Sequence, residues 1–472
     1  MIRRGTEEAS VLFVVTLSSF LVPFLAAALN LALPPMGRDL SMDAVVLGWV
    51  VTAFLLAAAV CLLPSGRLAD IHGRKRVFLW GMIVYTLGSL LCAAAASVTV
   101  LVLGRVISGA GAAMGFATGT AMLMSVVPAE ERGRALGWNV AAVYMGLSLG
   151  PVVGGIITHD LGWRWIFVAT AAGGAVAAIF TIVKVKGEWA EARGEAFDAV
   201  GSAILAISLV ALMYGFTRLP GVLGVVLVAL SALAFAVFVR WEVNCRSPVF
   251  DIRLFVGNSV FAFSNVATLI NYAATAGVAF LLSLHLQYTN GLSPQQAGMI
   301  LIAQPAVMAV FSPLAGRLSD RVDAGRLASL GMAITAAGLA IFCALRLDSS
   351  RSFVVTGLAV LGFGFSLFSS PNTNAVMSSV PRRHYGIASG TLATMRLIGQ
   401  MLSMGIVMLV MATFVGRVQI TPESHPGLLK AERAAFAVLA LLCVLGVFAS
   451  AVRGRIDPNG IGNPAGDRTE GG

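Results

Sequence analysis

Apolar runs of membrane-crossing length recur fourteen times along this chain, and that pattern restricts the fold more than any other feature. A helix needs about 20 apolar residues to cross a bilayer. The runs lie at roughly 11–33, 46–65, 77–97, 100–126, 135–158, 164–184, 199–217, 221–240, 259–287, 295–315, 327–346, 353–379, 386–415 and 434–452, and are numbered here as spans 1 to 14. The chain is 58% hydrophobic and 11% charged over 472 residues. A soluble domain of that size could not cover so much apolar surface. The sequence predicts an all-α polytopic membrane protein with fourteen transmembrane helices. Arg3 and Arg4 before the first run resemble the start of a signal peptide, but run 11–33 exceeds the usual h-region and reads as a span. The weakest separations are "SVTV" between spans 3 and 4 and "TRLPG" between spans 7 and 8.

The net charge of +10 is distributed in loops rather than on one soluble face, which argues against nucleic acid as a partner. With an even number of spans, one side of the membrane collects 22 Lys and Arg, the other 8, and two arginines lie inside spans. The positive-inside rule then predicts cytoplasmic termini. Trp49, Trp80, Trp138, Trp163 and Trp165 fall near span ends, the depth that suits interfacial anchors. The five cysteines read as small buried residues without a disulfide framework. The tail 453–472, rich in Gly, Pro and Asp, is expected to be disordered.

An internal repeat organises the spans. "GRLADIHGRKR" (66–76) follows span 2 and "GRLSDRVDAGR" (316–326) follows span 10. Related loops eight spans apart predict two six-helix halves, 11–184 and 259–452, with two inserted helices at 199–240. Repeated halves are a carrier feature. In the first loop Gly66 and Gly73 permit close helix approach, Asp70 can cap a helix or pair with a cation such as Arg134, and Arg74 belongs to a basic cluster at headgroup level. Asp320 is the equivalent acid of the second loop. Span 5 carries "GLSLGPVVGG", where Gly146, Gly150, Gly154 and Gly155 leave bare helix surface and Pro151 removes a backbone donor.

Taken together these motifs resemble the major facilitator superfamily, and within it the fourteen-helix drug:proton antiporter type. "GRLADIHGRK" is similar to that superfamily's loop between helices 2 and 3, "LGRVISGAGAA" (103–113) to its helix-4 motif with Arg105 as the basic residue, and "GLSLGPVVGG" to its antiporter motif. "WVVTAFLLAAA", "WRWIF" and "GIASGTLATMRLIGQ" resemble further fourteen-helix family stretches. The resemblance covers nearly the whole chain. It implies alternating access around a central cavity, with export rather than import. The chain departs from the pattern at Leu25, where the family has an Asp five residues before the Asn of helix 1 (here Asn30 of "FLAAALNLALPP"). It departs again at Ser108, where Gln is usual, and in the stretched second loop, where Gly325 falls two positions late.

Ionisable groups inside the membrane are expensive and functional by default. The run boundaries leave all 22 acidic residues outside span cores. Arg105 is placed roughly 8 Å and Arg396 roughly 15 Å into their spans. Each either lines the central route or satisfies backbone carbonyls. His285 near the outer end of span 9 is a candidate proton carrier, with an interfacial histidine as the alternative. Asn30, Asn139, Tyr144, Asn271, Gln304, Asn372, Asn374 and Gln400 are further candidates for a cavity wall. "SSPNTNAVMSS" is the densest polar patch, where Pro371 could break span 12.

No nucleotide-binding loop, catalytic constellation or metal-ligand spacing is present, so no enzyme activity, cofactor or metal is expected. The sequence supports a secondary exporter of small organic compounds in a prokaryotic plasma (inner) membrane, coupled to protons and expected to be a monomer. The lack of a membrane carboxylate keeps open an anion-selective exporter or facilitator without proton coupling. A sensor or enzyme on a carrier scaffold is more remote, because no sizeable soluble output domain is visible in the loops.

Overall fold

The computed structural model describes residues 2–128, 131–245, 248–250, 252–319, 321–381 and 385–452. Asp320 and the expected disordered tail 453–472 lie outside the described residues. Among the described residues, fourteen helices are long and apolar enough to cross a membrane, one for each run. They are span 1 (Glu7–Asp39), 2 (Ala44–His72), 3 (Arg74–Ala93), 4 (Val98–Val126), 5 (Arg132–Asp160), 6 (Arg164–Lys184), 7 (Ala199–Arg218), 8 (Val222–Asn244), 9 (Ser259–Thr289), 10 (Pro294–Ser319), 11 (Ala324–Phe342), 12 (Arg351–Ser378), 13 (Tyr385–Phe414) and 14 (Pro422–Ser450).

Short polar residues start many of these helices, as orphan N–H groups require. The Asp43 carboxylate accepts from the Val45 and Val46 amides at 2.8 Å each. Ser97, the first residue of "SVTV", caps span 4, Asn258 caps span 9, and Ser293 with Gln296 forms a capping box on span 10. In the second repeat loop Asp323 accepts from the Arg326 amide at 2.8 Å.

The repeat seen in the loops reappears in the packing. Spans 1 and 5, 2 and 4, 3 and 4, and 3 and 6 pack against one another. Each of these pairs has its counterpart eight spans later, in 9 and 13, 10 and 12, 11 and 12, and 11 and 14. Two six-helix halves result. Spans 7 and 8 pair with each other, and span 7 rests against spans 2 and 13. Small residues make the tightest pairs possible, since lipid supplies no hydrophobic drive between helices. A Cβ on Gly88 of span 3 would collide with the Ser108 backbone of span 4. One on Gly331 of span 11 would sit 2.5 Å from the Phe368 amide of span 12.

Not every span is a continuous α-helix. Span 9 is interrupted at Ala276 and Gly277, where the Gly277 amide donates to Ser403 Oγ of span 13 at 2.9 Å. It resumes at Val278 and ends in a π-helical turn, His285–Thr289. Span 10 is interrupted at Ile302. Span 12, where Pro371 was expected to break the helix, runs unbroken from Arg351 to Ser378. Pro371 is buried, and Asn372 beside it ties the helix to span 9 instead of opening it.

Candidate substrate path and gates

The two halves meet along spans 2 and 13 and along spans 5 and 10, pairs that the repeat makes equivalent. Their hydrogen bonds cluster on the face away from the start of span 1, here the far face. The face that carries the basic loops is the basic face. At the far face Ser283 Oγ donates to the Asn30 carbonyl. Gln287 Nε2 donates to the Leu31 carbonyl at 3.1 Å, and Tyr288 Oη donates to the Pro34 carbonyl at 3.3 Å. Asn30 thus contributes its backbone to the seam, while its side-chain amide donates to Ala26 one turn back. Leu25, 1% exposed, belongs to the main apolar core, so the position where the family has Asp meets no cavity here.

The glycine motif of span 5 serves two packing faces. A Cβ on Gly146 would lie 2.5 Å from the Phe20 carbonyl, and Gly150 and Gly154 abut Ala27 and Ala28, all on span 1 of the same half. Gly155 instead faces across the seam, where a Cβ would meet the Pro294 carbonyl at 2.7 Å. Gly298 of span 10 returns the contact by lying against the Pro151 carbonyl. At the basic face the corresponding ends make no such contact among the described residues. A Cβ on Gly133 or Gly137 of span 5, or on Gly386 or Gly390 of span 13, would meet nothing within 4 Å.

Between the closed and open ends a polar group spans both halves. Arg396 of span 13 donates from Nη2 to Thr373 Oγ1 of span 12 at 3.0 Å, and its guanidinium carbon lies 5.7 Å from the Tyr272 ring centre. Tyr144 of span 5 lies in the electrostatic range of Arg396 and Tyr272 and beside the Ser312 and Ser369 hydroxyls. Arg396 is half-buried, its Nε has no partner, and no carboxylate pairs with it among the described residues. One cation, two phenols and three hydroxyls can bind a planar polar compound or an anionic group. Gln304 and Gln400 are half-buried on spans 10 and 13, and Asn139 is half-buried on span 5 with its Oδ1 unpartnered. Asn372 is structural in this state, since its amide donates to the Ser264 carbonyl and Thr268 Oγ1 of span 9. Asn374 is exposed and donates to Ser319 Oγ at 3.3 Å.

Arg105 stands apart from this group. It is 2% exposed inside the first half, donates from Nε to the Val50 carbonyl at 3.0 Å, and its guanidinium carbon lies 4.4 Å from the Phe54 ring centre. Its role here is to join spans 2 and 4.

Of the inner-loop arginines open to Asp70, the structure pairs it with Arg74. Asp70 does not reach Arg134. It accepts from Arg74 Nη2 at 3.0 Å, and Arg74 also bonds Glu191 at 2.7 Å and Ser125 at 3.0 Å. Arg134 is exposed with no partner among the described residues. Gly73 carries φ +115 and leaves no room for a Cβ beside Glu188, which fits glycine alone between spans 2 and 3. Gly66 has only Ala117 near it, at 3.9 Å.

The run boundaries place every acid outside span cores, yet two carboxylates are buried on the span helices. Glu242, near the end of span 8, is 1% exposed and accepts from the Phe250 amide at 3.1 Å. Glu432 lies well inside span 14 at 0% exposure, and its Oε2 is 2.8 Å from Nδ1 of His285, also at 0%. His285 is therefore packed against span 14 and faces no open space in this state. The hydropathy window missed Glu432 because Lys430 and Arg433 flank it and delay the apolar run to 434. A periodicity signal was available. Leu428, Ala435, Phe436 and Leu439 stand one or two turns from Glu432 on the same face, and all are fully buried. Asn271, on the first part of span 9, is also 0% exposed, with both side-chain amide atoms unpartnered.

Two repeated helical halves with a polar group at their interface, sealed at one face and open at the other, define a membrane carrier. The sequence model of the Major Facilitator Superfamily matches residues 15–269 and 264–469, and the chain belongs to that family. Among curated relatives, the multidrug resistance protein Stp of Mycobacterium tuberculosis is 31% identical over 87% of this chain and 76% of its own. The methylenomycin A resistance protein of Bacillus subtilis is 30% identical over 84% and 86%, and the riboflavin transporter RibZ of Clostridioides difficile is 29% identical over 82% and 84%. Among solved structures, a bacterial homolog of the human lysosomal transporter Spinster superposes with TM-score 0.71 at 16% identity, covering 96% of this chain and 99% of that one. This protein is a multi-pass membrane transporter.

Proposed function

We propose that this transporter is a secondary exporter of small organic compounds that works by alternating access and is driven by the proton gradient. The observation that carries the reading is the Arg396, Tyr272, Thr373 and Tyr144 group lying between two halves that are sealed at the far face and open at the basic face. In this reading the basic face is cytoplasmic, as its loop charges favour. The protein sits in a prokaryotic plasma membrane and acts as a monomer. Substrate enters from the cytoplasm, binds at the central group, and leaves when the far-face seam opens. The bare face of Gly146, Gly150, Pro151 and Gly154 lets span 5 move with span 1, while Gly155 forms part of the seam. The Asp70–Arg74 loop, with Arg134 and Asp320, closes the basic face in the opposite state. Resistance-named relatives favour organic substrates, and the riboflavin-named relative favours a planar one.

The test is export from cells lacking their own exporters, with a panel comprising riboflavin, a cationic aromatic dye and an anionic aromatic dye, at two external pH values. Export that rises with an inward proton gradient supports the reading. Net efflux unaffected by collapsing the gradient would replace it with a second reading, an anion-selective facilitator. The unpaired guanidinium of Arg396 favours that alternative.

A further inference from the structure

We propose that the His285–Glu432 pair is the proton-binding site of the cycle, and that the far-face seam seals only when this pair has taken up a proton from outside. The inference deepens the proton-coupled reading and rests on it for direction.

Three observations meet at the pair. First, it is dry, with both side chains at 0% exposure. A lone carboxylate with a neutral imidazole would bury a net negative charge, which apolar surroundings strongly oppose. One added proton makes the pair neutral overall, whichever of the two groups carries it. Sealing and uptake of one proton are therefore linked. Second, the pair sits on the moving part. His285 opens the π-helical turn of span 9, a helix distortion frequent at functional sites. Ser283 and Gln287, two residues to either side of it, project to the other side of the helix and make the bonds to the Asn30 and Leu31 carbonyls that close the seam. Span 9 thus links the pair on span 14 to span 1 of the opposite half. Third, the site has spare hydrogen-bonding capacity. His285 Nε2, Glu432 Oε1, Thr289 Oγ1 and Asn290 Oδ1 are all buried without a partner. Native interiors seldom leave such atoms unpaired. Together they mark a route for water from the far face when the seam opens.

Other charges do not account for the pair. His285 is the one titratable group whose charge bears on Glu432 among the described residues. On span 14, Lys430 is exposed and Arg433 Nε is turned to the Leu345 carbonyl at 2.6 Å. On span 9, Tyr288 is turned to Pro34, with Arg38 5.9 Å from its ring centre. The loop after span 13 carries Arg417, which bonds the Thr217 carbonyl, and the end of span 11 leads to Cys343, whose thiol bonds Leu339.

The cycle follows. With the far face open, water reaches the pair and a proton from outside neutralises it. The neutral pair is then buried as the seam closes and the basic face opens. The buried, unpartnered Asn271 lies on the same span toward the central group and offers the proton a polar waypoint inward.

The test replaces the five native cysteines and introduces Leu31→Cys, a seam position that is fully buried in the sealed state. Its labelling by a membrane-impermeant maleimide from outside reports opening. After correction for the reagent's own pH dependence, labelling should fall by about fivefold or more from pH 8.5 to pH 5.5, as one-proton linkage allows. Glu432→Gln, which mimics a neutral carboxyl, should label slowly at both pH values. His285→Gln leaves the Glu432 carboxylate to take up the proton, so its labelling should still fall from pH 8.5 to pH 5.5. If the Glu432→Gln profile matches that of the parent, or the parent shows no pH dependence, the proposal is overturned. Gradient-driven export by the parent is measured in parallel. Its loss with an intact labelling profile would refute the antiport reading and leave the proton-sealed seam standing.

Discussion

Gly155→Val should hold the far face open. Gly155 faces the other half, and a Cβ there would lie 2.7 Å from the Pro294 carbonyl oxygen and 3.1 Å from Gln295 Cα. Both obstacles are backbone atoms, so no side chain can rotate away. Overpacking of this kind costs about 1–3 kcal/mol. The clash exists only in the sealed state, so the whole penalty appears as a shift toward the open one, about 5- to 150-fold. The assay is outside labelling of Leu31→Cys at one fixed pH, where the rate should rise by that factor. Gly154→Val is the control, because its Cβ would run into Ala28 of its own half. That variant should lose thermal stability in both states without raising the labelling rate. If Gly155→Val folds and labels no faster than the parent, the far-face contact of spans 5 and 10 is not the seam.

Arg396→Ala removes the central guanidinium and its bond to Thr373, an interaction worth about 1.5–3 kcal/mol, so export should fall roughly 10- to 150-fold for compounds that use it, read as initial efflux rates. Arg105→Met deletes a buried bond to the Val50 carbonyl and should lower unfolding stability by about 1–3 kcal/mol in detergent, while substrate affinity of the folded fraction is retained. Asp70→Asn breaks a partly exposed ion pair with Arg74 and should change stability by less than about 1 kcal/mol. Its transport rate should nevertheless drop, and unchanged transport in vesicles would remove the loop from the basic-face gate.

Much of the architecture was legible because membrane physics writes it in one dimension. Fourteen apolar runs gave fourteen spans, and the paired "GRL" loops anticipated the matched packing of the halves eight spans apart. The failures have physical causes. Pro371 was expected to break span 12, yet burial and the Asn372 bonds to span 9 hold it in a continuous helix. The interruptions fall instead at Gly277 and Ile302, positions set by how spans 9 and 10 meet their neighbours. Asp70 takes Arg74, four residues along the chain, as its partner, a choice between inner-loop arginines that the span pattern alone leaves open. Arg105 and Arg396 look equivalent in sequence, and only packing separates a helix tie from a group at the interface of the halves. Glu432 escaped because a window average dilutes one buried acid among flanking charges, whereas the helical period places it on a buried face. The "FLAAALNLALPP" stretch contains no acid, but the seam it forms through the Asn30 and Leu31 carbonyls leads by way of span 9 to one.

The central claim is proton-driven export through a carrier that alternates between its two faces. Purified protein reconstituted in liposomes, given an imposed pH gradient and the compound exported best from the panel, tests it most directly. Transport of the compound against its own gradient, accompanied by proton movement in the opposite direction and abolished by a potassium–proton exchanging ionophore, is the predicted result. Transport that only equilibrates the compound and proceeds at the same rate with and without the gradient would contradict it.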